Sequence, residues 1–424
     1  MGMLAGLVQL PPERFKSTPH VTGELLDDGG TLFGSSVVCV GDVDKDGRDD
    51  IAVSAPLAWS KSGRTGQVLI LSGTDGGVLR ELSGDSEDTW FGNSVFPIEL
   101  NTRSIPAKLA ISCRRKQGKS DVNAVKIVSF DDLHAVATIP GAAGFLGSPG
   151  DLDSDRSPDY AVAFHDGSVE STRWISGQSW QPLDRPSISG PIKLLAEDYD
   201  GDKIHDYLSL SRELKALQVC SGASGKCIST LKLGPSRDPR GYRSAICTGL
   251  EIDGKRAIVL SNPDKERGSA AFSAFSGVTG ELALETTFGK WSSSESDQFE
   301  FSLVPSSDTK EHDIFFAVRT PFFAEELQAY SGKTLEMLWK APYAVEKGTT
   351  TLATLRARHP FPASDWIVAV GKLRNVPSEG SESDGGEVAI LSAATGQARK
   401  YFHERDYPML SLDHYPELQE PAKK

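Results

Sequence analysis

Val68-Leu-Ile-Leu-Ser-Gly73-Thr-Asp-Gly-Gly77 is an apolar run that stops on Ser-Gly and then turns. The same construction returns as Leu217-Gln-Val-Cys-Ser-Gly222-Ala-Ser-Gly, Phe272-Ser-Ala-Phe-Ser-Gly277-Val-Thr-Gly, Leu327-Gln-Ala-Tyr-Ser-Gly332-Lys-Thr and Val388-Ala-Ile-Leu-Ser-Ala393-Ala-Thr-Gly. Weaker copies are Val125-Lys-Ile-Val-Ser-Phe130 and Ser168-Val-Glu-Ser171. The aligned serines are 72, 129, 171, 221, 276, 331 and 392, a mean spacing of about 53. A second apolar string precedes each copy, as in Ile51-Ala-Val-Ser-Ala-Pro56 and Tyr160-Ala-Val-Ala-Phe164. Earlier still stands an aromatic beside Gly: Phe33-Gly34, Phe91-Gly92, Phe145-Leu-Gly147 and Gly241-Tyr242. Each unit therefore holds about four short strand-like runs between turn residues, and none sustains a helical period. Inner runs that are continuously apolar suit strands covered on both faces. Four strands per unit, repeated seven times, predict an all-β fold, a seven-bladed β-propeller with four-stranded blades. An array of β-sandwiches is the competing reading, but units of this length are too short for it.

Composition agrees with a folded β chain. The 424 residues include 41 Gly, and hydrophobic residues make up 38%, enough to form a core. The formal charge of −13 argues against a partner made of nucleic acid, whose binders carry a basic face. No stretch approaches the length of a transmembrane segment. Five cysteines are too few for a disulfide scaffold, and their odd number leaves at least one thiol unpaired within the chain. Cys220 and Cys227 flank a turn and are candidates either for a bridge or for two reduced thiols, whereas Cys39, Cys113 and Cys247 read as core thiols. Leu4–Leu10 is apolar with no basic residue before it, so both a clipped signal and a first strand stay open.

Three units carry an acidic loop before the second string. They are Asp42-Val-Asp44-Lys-Asp46-Gly47-Arg48-Asp-Asp50, Asp151-Leu-Asp153-Ser-Asp155-Arg-Ser-Pro-Asp159 and Asp198-Tyr-Asp200-Gly-Asp202-Lys-Ile-His-Asp206. All place Asp at positions 1, 3, 5 and 9, with a backbone carbonyl available at position 7. Four carboxylates in one loop repel one another unless a hard cation gathers them, and such a cation takes six to eight oxygens. The expected cofactor is Ca2+, up to three ions. Gly47 at position 6 suits a sharp turn, and Arg156 and Lys203 replace it in the other two loops, so the first loop is expected to bind best. This is not an EF-hand, which needs Glu at position 12 and flanking helices. The other units keep only remnants, such as Glu251-Ile-Asp253-Gly and Asp308 with Asp313.

Phe33-Gly34, the loop Asp42–Asp50 and Ile51-Ala-Val-Ser-Ala-Pro56, in that order, resemble the FG-GAP repeat of integrin α chains. The resemblance implies a seven-bladed propeller with calcium loops between the first and second strands of a blade. It implies an extracellular, periplasmic or cell-surface location and a role in adhesion or ligand binding. Carried over by position, the metal ligands are Asp42, Asp44, Asp46, the Arg48 carbonyl and Asp50. Their equivalents are Asp151, Asp153, Asp155, Asp159, Asp198, Asp200, Asp202 and Asp206. On this reading 1–30 is an N-terminal segment, a possible closing strand, and 401–424 a C-terminal segment. The propeller spans 31–400, with blades at about 31–82, 91–140, 145–182, 190–234, 241–288, 298–340 and 350–400. A monomeric propeller with a protein or glycan ligand is expected, bound on the face opposite the calcium loops. That face would be built by the long second-to-third connections Leu57–Gly66, Arg114–Asn123 and Lys372–Gly386.

Signatures of catalysis are missing. Gly118-Lys-Ser120 and Gly332-Lys-Thr334 lack the earlier Gly of a phosphate loop, and no nucleophile elbow or paired-His metal motif occurs. The chain therefore reads as a non-enzyme. The alternative is a propeller enzyme of quinoprotein or polysaccharide-processing type, suggested faintly by Leu327–Trp339 and Phe272–Leu284.

Overall fold

The computed structural model describes residues 31–415 apart from single positions and short internal segments, the longest being 234–245, 291–297, 305–313, 356–366 and 373–385. The regular structure of the described residues is strand, apart from two single 3-10 turns, Glu404–Asp406 and Pro408–Leu410. The strands pair antiparallel with their neighbours in chain order. The first sheet is Val37–Gly41, Asp50–Ala55, Gln67–Leu71 and Val78–Ser83. The second has Val95–Leu100, Pro106–Gln117, Ser120–Ser129 and Ala135–Pro140, with the short Asp88–Thr89 beside Pro106–Gln117 as a fifth strand. The third runs Ala142–Gly150, Asp159–Asp166, Val169–Ile175 and Ile188–Ser189, and the fourth Ile192–Leu194, Tyr207–Ser211, Ala216–Cys220 and Cys227–Thr230. Three more four-stranded sheets follow, beginning at Ile246, Gln298 and Thr350. Each is the meander of a propeller blade, so the all-β, propeller-type class follows from the local pattern.

The chain divides into two compact units. One contains Phe145–Pro321 and Glu325–Pro342; the other contains the first, second and last sheets. In that second unit the two faces of the first sheet enter different cores. Ile51, Val53, Leu69 and Leu71 pack with Val388, Ile390 and Phe402 of the last sheet. Ala52, Val68 and Ile70 point the other way and pack with Leu109, Ile111 and Val128 of the second. Alternation along a strand thus feeds two cores at once, which is why both inner strands are continuously apolar. The aromatic-Gly element opens the first two units: Phe33 and Phe91 are buried, while Gly34 and Gly92 N–H donate to Ser54 O and Ser112 O on the second main strand of their sheets.

The Ser-Gly string is one repeated turn. Ser72 N–H donates to Gly77 O, and Gly76 N–H returns to Ser72 O. The same pair closes at Ser129, Ser221, Ser276 and Ser331. The fifth residue of each turn has a left-handed φ, whether it is Gly76, Gly225 and Gly280 or Leu133 and Leu335. In the third unit the turn belongs to Ser176, bonded to Gln181 and Trp180, and not to Ser171 as the sequence alignment has it. Ser171 sits inside Val169–Ile175, opposite Phe164. The true copy, Trp174-Ile-Ser-Gly177, lies five residues downstream.

Neighbouring sheets are stitched at these turns. Arg80, on the fourth strand of the first sheet, donates to the carbonyls of Phe130 and Asp131. Arg185, ahead of the fourth strand of the third sheet, donates to Gly222 O and Ala223 O. Ser229 Oγ donates to Gly277 O at 2.6 Å. For the first sheet, the donor is Tyr407 from the end of the chain, whose hydroxyl bonds Gly76 O at 3.0 Å. The same C-terminal segment holds Thr31 N–H and Gly386 N–H through the Glu404 carboxylate, each at 2.8 Å. Gln67 Nε2 reaches Met409 O and Tyr415 Oη, both at 3.1 Å.

Two of the connections expected to form a binding face are not open loops. Arg114–Asn123 is the end of a continuous hairpin, paired from Lys108↔Ser129 to Gln117↔Ser120, because its alternating side chains keep the strands in register beyond the core. Leu57–Gly66 is a loop, but Leu57, Ala58, Ser60 and Thr65 are buried and Trp59 N–H bonds Leu410 O. Residues 373–385 lie outside the described residues, as do 1–30 and 416–424.

Candidate metal centre

The three acidic loops fold alike and share one set of hydrogen bonds. The position-9 carboxylates, Asp50, Asp159 and Asp206, are fully buried at the head of the second strand. One oxygen of each accepts the position-2 N–H: Val43 at 2.7 Å, Leu152 at 2.6 Å, Tyr199 at 2.7 Å. The other accepts the Gly N–H of the Ser-Gly turn: Gly73 at 3.0 Å, Gly177 and Gly222 at 3.1 Å. Position 1 accepts the position-6 N–H, from Gly47, Arg156 and Lys203. Position 3 accepts the position-5 N–H, from Asp46, Asp155 and Asp202.

This scaffold brings three carboxylates of each loop together. Ligand-capable oxygens of Asp42, Asp44 and Asp50 lie within 4.8 Å of one another, as do those of Asp151, Asp153 and Asp159 and of Asp198, Asp200 and Asp206. The position-5 carboxylates are turned to the loop itself. Asp46 accepts from Arg48 N–H and the Thr74 hydroxyl, Asp155 from Ser157 N–H, and Asp202 from Ile204 N–H and Ser221 Oγ. Arg48, whose carbonyl is the position-7 candidate, lies next to Asp49 and the buried Asp50. The sequence missed the glycines of the Ser-Gly turns as part of the centre. The available signal was that complete acidic loops occur in units whose turn reads Ser-Gly.

The residues fit a hard cation. Asp42 Oδ1 is buried with no hydrogen-bond partner, a costly state for a carboxylate oxygen unless a cation meets it. Burial pushes Asp50 up from 3.8 to about 7, against the N–H groups of Gly73 and Val43, with the Asp44 carboxylate adding to the rise. Burial likewise pushes Asp206 up to about 6 and raises Asp159. These carboxylates are held where a single negative charge is already unfavourable, and a divalent ion reverses that.

Backbone strain ranks the loops. Positions 4 and 6 are left-handed in all three: Lys45 and Gly47, Ser154 and Arg156, Gly201 and Lys203. A non-Gly residue there costs about 1 kcal/mol. The second loop has two such residues and the others one each, so the first and third loops are equal on this count. Replacing Ser154 and Arg156 together by Gly is expected to tighten cation binding at the second loop several-fold; unchanged affinity by calorimetry would show the strain is relieved elsewhere.

The raised carboxylates also set a pH dependence. In the cation-free protein the folded pKa of Asp50 exceeds its unfolded value, so stability is full below about 3.8 and falls as pH rises toward about 7. Bound cation requires the ionised form, so the two effects oppose. Chelated protein should melt higher at pH 5.5 than at 7.5, while the increment added by calcium should shrink. An increment equal at both pH values contradicts the assignment.

Comparison with known proteins places the motif. Residues 33–71 match the FG-GAP repeat family model. That stretch is similar to an FG-GAP repeat of the integrin-α kind. The matched span runs from the buried Phe33 through the first acidic loop to the end of the third strand. Integrin alpha-5 of Xenopus laevis is 37% identical over 98 residues, covering 23% of this chain and 9% of that relative, so the chain spans less than a tenth of that protein's length. Among solved structures, KlHsv2 with loop 6CD replaced by a Gly-Ser linker aligns over 87% of this chain and 99% of its own, at 10% identity and a TM-score of 0.46. Dihydro-heme d1 dehydrogenase NirN in complex with DHE aligns over 84% and 63%, at 12% identity and a TM-score of 0.43. Likenesses of this depth carry no functional information. Among the described residues no helix is long and apolar enough to cross a membrane.

Proposed function

We propose that this FG-GAP chain is a calcium-stabilised, non-catalytic binding or adhesion module of the extracellular or cell-surface type, closed as a seven-bladed propeller. The observation that carries the reading is the threefold repetition of one carboxylate geometry, each copy tied to its own Ser-Gly turn. The metal ligands on this reading are the carboxylates at positions 1, 3 and 9 of each loop. The carbonyl at position 7 and water complete the shell, and position 5 closes the loop. Calcium bound there screens the clustered negative charge and fixes the end of the blade. The opposite end of the second sheet, where the Pro106–Gln117 and Ser120–Ser129 hairpin extends past the core, is the place for a protein or glycan ligand.

Extracellular calcium sites have Kd near 10⁻⁴ to 10⁻³ M. A millimolar ion then stabilises the native state by about 0.4 to 1.4 kcal/mol per site. Chelation is expected to lower the melting temperature by a few degrees and calcium to restore it. Magnesium should substitute poorly, because it demands tighter octahedral geometry. Asp44→Ala, Asp153→Ala and Asp200→Ala should each remove one site in a calorimetric titration. A melting temperature indifferent to chelator and to millimolar calcium refutes the metal reading. A screen of the calcium-loaded chain against glycans and surface proteins, with the hairpin tip shortened as control, tests the binding role.

A further inference from the structure

We propose that Cys220 and Cys227 are a redox-responsive pair that closes to a cross-strand disulfide on exposure to a small-molecule disulfide. The two residues are direct partners on adjacent antiparallel strands of the fourth sheet. Residues so opposed have Cα atoms about 4.5 to 5.5 Å apart. A disulfide accepts about 4.4 to 6.8 Å. The register shifts between Val219 and Cys220, since Ser229 faces Val219 while Cys227 faces Cys220. This bulge gives the pair slack to adjust. Both sulfurs border one residue: Cys220 Sγ lies 3.9 Å from Gln218 O, and Gln218 Nε2 lies 3.4 Å from Cys227 Sγ. Gln218 and Cys220 share a face by alternation, so the Cys227 thiol is on the face of Cys220. The intervening turn is held by Ser221 N–H to Lys226 O and Gly225 N–H to Ser221 O, each at 2.8 Å. The strand ends are therefore fixed before any bond forms between the sulfurs.

Exposure divides the roles. Cys227 is exposed and Cys220 is buried. The Cys227 thiolate attacks a disulfide RSSR, forms a mixed disulfide and releases one RSH. Cys220 then loses its proton and attacks the Cys227 sulfur, and the second RSH leaves. Two thiols are oxidised and one RSSR is reduced to two RSH. Burial, with Cys227 beside it, pushes the Cys220 thiol up to about 11, so the second step is the slower and accelerates with pH. Cys113 is unreactive by contrast, because burial and the Asp88 carboxylate push it up to about 12.

The test uses the full chain, folded, with oxidised glutathione. Thiol titration after denaturation should show two thiols lost, and peptide mapping should find Cys220 joined to Cys227. Cys220→Ser should trap glutathione on Cys227, whereas Cys227→Ser should leave Cys220 free. Circular dichroism of both variants checks that they fold. The proposal is overturned if both thiols persist in the wild type, if the mixed disulfide at Cys227 accumulates without resolving at high pH, or if Cys227 pairs with a different cysteine.

Discussion

Gly73→Ala is expected to destabilise the fold by about 3 kcal/mol or more, as are the equivalent changes at Gly177 and Gly222. A Cβ at Gly73 would lie 2.1 Å from the Asp49 carbonyl oxygen, and the equivalent atoms at Gly177 and Gly222 would lie 1.9 Å from Pro158 O and 2.0 Å from His205 O. In all three the obstacle is backbone, so no side chain can swing away. Relief requires the turn to leave the loop, which also breaks the N–H bond to the buried Asp50 and leaves one of its oxygens bare. Stability and calcium response should therefore fall together. Gly118→Ala is the control: its φ of 66° carries the left-handed cost, but nothing lies within 4 Å of the new atom. A Gly73→Ala variant no less stable than Gly118→Ala in a denaturant titration would refute the packing argument.

Lys126→Met should cost a comparable amount, about 3 to 5 kcal/mol, the usual cost of removing one partner from a buried charge pair. Lys126 stands on the third strand of the second sheet, with its ammonium 2.6 Å from Asp85 and hydrogen-bonded to Asp88. The side chain of Asp88 is fully buried and that of Lys126 nearly so. Burial opposes the lysine charge, and the bonds to Asp85 and Asp88 outweigh it, so its pKa stands above the ordinary value. Asp85 is held below the ordinary carboxylate value despite its partial burial, chiefly by the hydrogen bond from Lys126. Its contribution is present above about 3.8 and is lost as pH falls through the lowered folded value. Arg115 compensates Asp88 only in part, since its Nε lies 3.6 Å away. Adding Asp88→Asn to Lys126→Met should recover part of the loss. A single variant within about 0.5 kcal/mol of wild type would show that Arg115 suffices.

The repeat and the acidic loops were legible in the chain because both rest on local rules. Inner strands buried on two faces are apolar at every position, and Asx-type turns write their carboxylates at fixed offsets. Where the reading failed, the cause was distant. Ser171 took the place of Ser176 because Ser168-Val-Glu-Ser171 mimics the string, and the Ser176 turn bonds with Gln181 and Trp180, together with the Gly177 bond to Asp159, reveal the shift. Arg114–Asn123 looked like a loop because it is polar, yet polar residues alternate as well on a hairpin that leaves the core. The remnant Glu251-Ile-Asp253-Gly lost its acidic pattern for a visible reason: Ile252 pairs with Lys255, so only two residues separate the strands and there is no room for a nine-residue loop. Left-handed residues at both positions 4 and 6 were half legible, through Gly47 and Gly201 alone.

The Tyr407 bond to Gly76 joins positions 331 residues apart, and the Gln67 bond to Tyr415 spans 348. In the fourth and fifth sheets the equivalent cover comes from the sheet just before, within 50 residues. Loop-closure entropy makes such distant contacts the slow ones to form. The first sheet is thus the first to be synthesised and the last to be finished. Its apolar face toward Val388, Ile390 and Phe402 stays uncovered until nearly the whole chain has emerged. During synthesis that waiting face, more than any part of the finished molecule, is where aggregation begins.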